Sequence, residues 1–179
     1  ETLEPVEVRG TASRKGAERS IAPHYFVGGN ADADQLLGSR KHAGMAAERL
    51  RSAATLEIRA PEAATPGATL AFEVAVTNVG AGHSLPTSLT ELREMWVHVR
   101  VLDSAGAVVF ESGALDDHGE IPEGTMRFGA ALHDADGEYT FKPWEGTGFL
   151  WKRQVPAKGT EADPFQAPLP ADARGPFTI

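Results

Sequence analysis

Apolar side chains fall at every second position in Leu70, Phe72, Val74 and Val76, and again in Val97, Val99 and Val101. A period of two puts successive side chains on opposite faces of an extended chain, so each run reads as a strand with one face buried. Leu56 and Ile58 begin the same pattern, Val108 and Phe110 continue it, and Phe149, Trp151, Arg153 and Val155 extend it towards the C-terminus. Between these runs stand turn signals: Pro61 to Gly67, Gly80 to Pro86, Asp103-Ser104-Ala105-Gly106, and Gly113, Gly119, Gly124 and Gly129. With 19 Gly and 12 Pro the chain favours short strands joined by many turns over a helical bundle. Strands at this spacing predict an antiparallel, immunoglobulin-like β-sandwich.

The N-terminal third reads differently. Residues 1–31 lack periodicity and are expected to form an extended arm, ordered only where it lies on something else. Asp32 to Ala54 predicts one α-helix, with Asp32 and Asp34 at its start, Arg49 and Arg51 near its end, and an apolar stripe of Leu36, Ala43, Ala47, Leu50 and Ala54. Gly38 and Gly44 weaken that helix, so it is expected to survive by packing on the sheet. The expected organisation is therefore an arm over 1–31, a packed helix over 32–54 and a sandwich over 55–179. The apolar end Phe177-Thr178-Ile179 reads as a final strand or a cut inside a larger chain, and the start on Glu1 as a processed form or a fragment.

Charge and composition remove several functions. A net charge of −8 argues against nucleic acid, whose phosphates require a basic surface. No apolar run approaches the ~20 residues that cross a bilayer as a helix. The chain has no cysteine, which excludes disulfides, thiolate zinc sites and blue-copper chemistry, and also covalent attachment of a c-type haem by this chain itself. Ser84 and Ser88 lack a nucleophile elbow, and no glycine-rich phosphate loop precedes a helix, so enzyme signatures are poor.

Histidine is thus the strongest ligand type present, with six copies. His83 is the leading candidate, because Gly80, Gly82 and Pro86 frame it in a loop that two strands can hold while the imidazole is aimed outward. A hydrogen bond within the loop would account for it equally. His24, beside Tyr25 and Phe26, is the second candidate, set against a simple amphipathic patch. His42 shares a helix face with Met45, His98 belongs to the outer face of its strand, and His118 and His133 sit in acidic turns. Asp116, with its neighbours Asp117 to Glu120, and Asp134 with Asp136 place carboxylates around a glycine, a pattern that suits calcium and also ordinary hairpin turns.

Four fragments in order, His24-x-Phe26-x-Gly28-Gly29-Asn30, Asn78-x-Gly80-Ala81-Gly82-His83-x-x-Pro86-Thr87, Arg93-Glu94-Met95-Trp96 and Gly113-x-Leu115-Asp116-x-x-Gly119, carry a resemblance. Together they resemble the cysteine-free, β-rich segment that follows the haem-binding region of bacterial multihaem c-type cytochromes, over about His24 to Gly159. The resemblance implies an extracytoplasmic place, periplasmic or cell-surface, in an electron-transfer system. It also implies His83 and His24 as axial ligands to haem iron, with Tyr25 and Phe26 lining the haem edge. Haem c would then be carried by a partner chain or by a separate segment, in a homo- or hetero-oligomer. The competing expectation is a secreted adhesion or carbohydrate-binding sandwich, stabilised by calcium at Asp116 or Asp134, with Trp144 and Trp151 stacking on sugar rings.

Overall fold

The structure is a computed structural model that describes residues 8–11, 13–21 and 28–179. Its elements in chain order are β1 (Val8–Thr11), β2 (Glu18–Ile21), α1 (Ala31–Leu36), α2 (Arg40–Ala53), β3 (Ala54–Arg59), β4 (Thr69–Asn78), β5 (Met95–Trp96), β6 (Val99–Leu102), β7 (Val108–Ser112), β8 (Arg127–His133), β9 (Tyr139–Thr140), β10 (Gly148–Arg153) and β11 (Thr160–Pro168). The protein is mainly β with antiparallel sheets and one main helix, an arrangement consistent with a β-sandwich. The chain divides into two compact units, Glu1–Thr55 with Val79–Gly82, and Leu56–Asn78 with His83–Ile179.

In the first unit the expected arm contains a hairpin, with Val8 opposite Ile21 and Thr11 opposite Glu18. Alternation does not announce it, since this strand pair carries mostly charged and small residues. The single helix expected over 32–54 is broken into α1 and α2 at Leu37 to Ser39. Gly38 sits there at φ +79°, a left-handed conformation that ends a helix. The buried stripe of α2 also differs: Ala46 is fully buried, whereas Leu36 and Leu50 of the expected stripe are exposed. Small residues take the inward positions and the leucines point out.

In the second unit one sheet has the order β11-β4-β3. Nine register pairs join β11 to β4, from Thr160 opposite Thr77 to Pro168 opposite Thr69. Leu70, Phe72, Val74 and Val76 are buried, as their alternation requires. Phe72 stacks on Phe165 of β11 at 5.3 Å between ring centroids. The second layer runs β10-β8-β5, with β9 also on β8, and β6 pairs with β7. Phe72 meets Phe110 of β7 edge-on at 6.4 Å, a geometry that aromatic quadrupoles favour. Val101, Met126, Phe128 and Val155 complete a dry core.

Arg153 on β10 clamps this core to β11. Its Nη1 and Nη2 donate to Asp163 at 2.8 Å each, Nε donates to Glu161 at 3.3 Å, and its guanidinium lies 4.9 Å from the Phe128 ring centre. The bidentate pairing raises the Arg153 pKa, the hydrogen bonds to Asp163 being the largest cause. The C-terminal segment adds a bridge, Thr178 pairing with Leu102 through two backbone hydrogen bonds of 2.8 and 2.9 Å.

One turn is used three times in this unit. In Asp103 to Ala107, Asp116 to Glu120 and Asp134 to Glu138 the aspartate Oδ1 accepts two backbone N–H groups at 2.8–3.0 Å. Gly106, Gly119 and Gly137 hold the left-handed position at φ +80°, +80° and +84°, which side chains disfavour. The aspartate therefore supplies acceptors for amides that the turn leaves unpaired.

Candidate functional site

Strand β4 ends on Asn78, the position that continues the inward series of Leu70, Phe72, Val74 and Val76. An amide side chain at a core position needs partners, and Asn78, 0% exposed, has them. Its Nδ2 donates to the carbonyl of His83 at 2.7 Å and, at 3.4 Å, to the carbonyl of Val155. Its backbone N–H donates to the Gly159 carbonyl at 3.0 Å.

Downstream of His83 the loop is stapled to the end of β10. Leu85 and Val155 exchange backbone hydrogen bonds of 2.9 and 2.7 Å, and Gln154 Nε2 donates to the Pro86 carbonyl at 2.6 Å. The Leu85–Pro86 peptide is cis, and Pro86 is buried. Just beyond, Ser88 has a φ of +67°, and its carbonyl accepts the Thr90 N–H at 2.8 Å as the chain enters a 3₁₀ turn, Thr90–Leu92.

His83 itself is exposed. Its Nδ1 lies 3.0 Å from the Ser84 carbonyl. A carbonyl can only accept, so in the neutral ring this bond places the hydrogen on Nδ1 and the lone pair on Nε2. The backbone at His83 is thus anchored from a buried side chain while the ring is exposed, with Nε2 free of the local hydrogen bond. The local hydrogen bond expected within the loop is present, and it orients the ring.

The remaining candidates are dispersed. His24, Tyr25 and Phe26 lie outside the described residues. The Asp116 and Asp134 carboxylates accept backbone amides in the turns above, and Asp136 is exposed in the second of these. Among the described residues there is no group of three or more His, Asp or Glu side chains that could hold a metal ion. His98, exposed between β5 and β6, pairs through Nε2 with Glu111 at 2.8 Å. His42 Nδ1 meets Ser39 Oγ at 2.9 Å, and His133 Nδ1 meets the Asp134 carbonyl at 2.8 Å.

Trp151 lines a recess with Arg93, Arg127, Tyr139 and Leu150, but Arg127 already lies over its ring, 4.6 Å from the centre. A sugar stacking on that face would have to displace a cation. Trp144 is 80% exposed.

Asn78 and Gln154 are not singled out by the sequence. A signal exists for Asn78: a polar residue continuing the core-facing parity of a strand is a local inconsistency that requires a specific partner. Gln154 stands at a half-buried position after β10 and carries no such mark.

No helix among the described residues is long and apolar enough to cross a membrane. No family model and no curated protein matches the chain. The fold is similar to that in the crystal structure of a penta-heme cytochrome c552 from Thermochromatium tepidum, with a TM-score of 0.51 and 19% sequence identity over 71% of this chain. The match spans 30% of that cytochrome's length, and the likeness is one of fold.

Proposed function

We propose that this chain is a non-catalytic β-sandwich module of an extracytoplasmic multihaem electron-transfer system. It shields haem edges from water and presents His83 as an axial ligand to a haem c held by another chain or another segment. The observation that carries this reading is the His83 loop, an exposed imidazole whose backbone is anchored by a buried side chain and whose Nε2 keeps its lone pair. The donor chemistry fits axial ligation, because haem iron commonly takes a histidine nitrogen as an axial ligand. It does not fit covalent attachment, since the chain lacks cysteine. The fold likeness to a penta-heme cytochrome supports the same reading. Haem iron would supply the one-electron couple; the protein would supply ligand, orientation and exclusion of water. His24, with Tyr25 and Phe26, is proposed on the sequence resemblance as a second ligand with its aromatic lining.

The test uses a ferric haem c peptide whose iron has one histidine and one exchangeable water. Titrated into this protein it should give the low-spin spectrum of a second nitrogen ligand. His83→Ala should remove the share of that change not due to His24, and its stability should stay within about 0.5 kcal/mol, as for other exposed sites without special contacts. Identical titrations of the wild type and His83→Ala would sink the assignment.

A further inference from the structure

We infer that Asn78 is a positioning residue for His83, holding the loop in the conformation that ligates; this rests on the reading of His83 as an axial ligand. Three observations carry it. Asn78 is wholly buried at the end of the central strand β4, so its position is set by core packing and not by the loop. Its Nδ2 donates at 2.7 Å to the carbonyl of His83 itself, the residue whose ring faces out. The same nitrogen reaches Val155, which exchanges two backbone hydrogen bonds with Leu85, so one amide group joins both limbs of the loop around the histidine.

The physical role follows from the cost of ordering. A ligand on a loose loop must lose backbone freedom when it binds, and that loss is subtracted from affinity. A buried amide that has already fixed the His83 carbonyl removes most of that cost in advance. The bond is made to the backbone carbonyl and does not touch the imidazole. What it sets is where the ring stands. Replacing Asn78 by Asp keeps the shape but puts a carboxylate oxygen, an acceptor, opposite two carbonyl oxygens. Replacing it by Ser keeps a donor on a side chain too short to reach both.

The experiment compares wild type, His83→Ala, Asn78→Ser and Gln154→Ala with the same ferric haem c peptide. Spectral titration measures affinity, and ¹⁵N relaxation with amide exchange measures order at residues 83–85. Asn78→Ser should weaken His83-dependent binding about tenfold, the loss expected when one loop must be ordered on binding. The low-spin spectrum at saturation should be unchanged, because the ligand atom is the same. The Leu85 amide should exchange faster even without haem. Gln154→Ala removes the 2.6 Å bond to Pro86 at a half-buried position and loosens the loop from its other end; it serves if Asn78→Ser does not fold, and should weaken binding in the same direction. Equal affinities in wild type and both loop variants, with His83→Ala still binding more weakly, would overturn the positioning role and leave the ligand reading standing. A wild type that binds no better than His83→Ala would overturn both.

Discussion

Replacement of Arg153 by methionine tests whether the two layers are held by a polar clamp or by apolar packing alone. The magnitude is bracketed by two limits. A fully exposed ion pair contributes about 0.2–1 kcal/mol, whereas removing one partner of a fully buried pair costs about 3–5 kcal/mol. Here the Arg153 and Asp163 side chains are 28% and 32% accessible, so neither limit applies. Methionine keeps an apolar side chain of similar length but not the guanidinium over Phe128, so the loss is the two hydrogen bonds to Asp163, the weaker one to Glu161, the cation–π contact, and two carboxylates left half-buried without their cation. We expect about 2 kcal/mol of destabilisation, between those limits. For a chain of this size that corresponds to a fall of about 4–8 °C in Tm. The Arg153 pKa is raised, so across neutral and mildly alkaline pH, where its carboxylate partners are ionised, its contribution is complete, and on the alkaline side it is lost only above the ordinary arginine range. Neutral and mildly alkaline melts should therefore give the same difference. Asp163→Asn, made alone and in combination with Arg153→Met, completes a double-mutant cycle by urea unfolding. Coupling of at least about 1 kcal/mol, persisting in about 1 M salt, is the signature of a partly buried bidentate pair. A loss below about 0.5 kcal/mol for Arg153→Met, or coupling that vanishes in salt, would refute the clamp.

Gly113→Ala should cost about 3 kcal/mol, combining a disfavoured φ of +84° with a methyl driven into the Val97 carbonyl and within 3.2 Å of His98 Cα and Thr125 Cγ2; a urea midpoint close to wild type would contradict the packing described. Glu57 has a lowered pKa, first because Arg59 donates to it at 2.8 Å and second through the Arg59 charge. The stability it contributes is present above the ordinary glutamate range and lost as pH falls through its lowered value, so NMR titration of Arg59→Gln should return Glu57 upward, and an unmoved titration would count against the pair.

How much of this is legible in the sequence depends on which side chains carry a period. Leu70 to Val76 announces its strand because burial on one face forces alternation, whereas the run Val97 to Val101 is strand only from Val99, the chain leaving β5 and its partner β8 at Trp96. The Asp103 to Gly106 hairpin is readable from its turn chemistry. The β1–β2 hairpin is not, because Arg9, Gly10, Thr11, Glu18, Arg19 and Ser20 bear no apolar pattern. The stretch from Asp32 to Ala54 is legible as helix but not as two pieces, since Gly38 reads as a weakness and acts as a stop. At the candidate site, glycines and Pro86 mark His83 as presented, yet the residue that anchors it has to be seen in space. Hydrogen bonds from Asn78 to residues on two different limbs are set by tertiary position, which spacing does not encode.

The pairing of β4 with β11 has a consequence for the order in which this unit can assemble. Thr77 and Thr160, opposite each other and hydrogen-bonded at 2.8 Å, are 83 residues apart, whereas hairpin partners such as His133 and Tyr139 are near neighbours in the chain. Loop-closure entropy grows as the logarithm of that separation, which makes the β4–β11 ladder about 2 kcal/mol harder to initiate than a hairpin. During synthesis β4 leaves the ribosome long before its partner exists, and its apolar face must wait. The local hairpins around Asp103 and Asp134 meet no such delay. Closure of the sandwich, and with it the seating of Val155 against the His83 loop, therefore waits until β11 has been made.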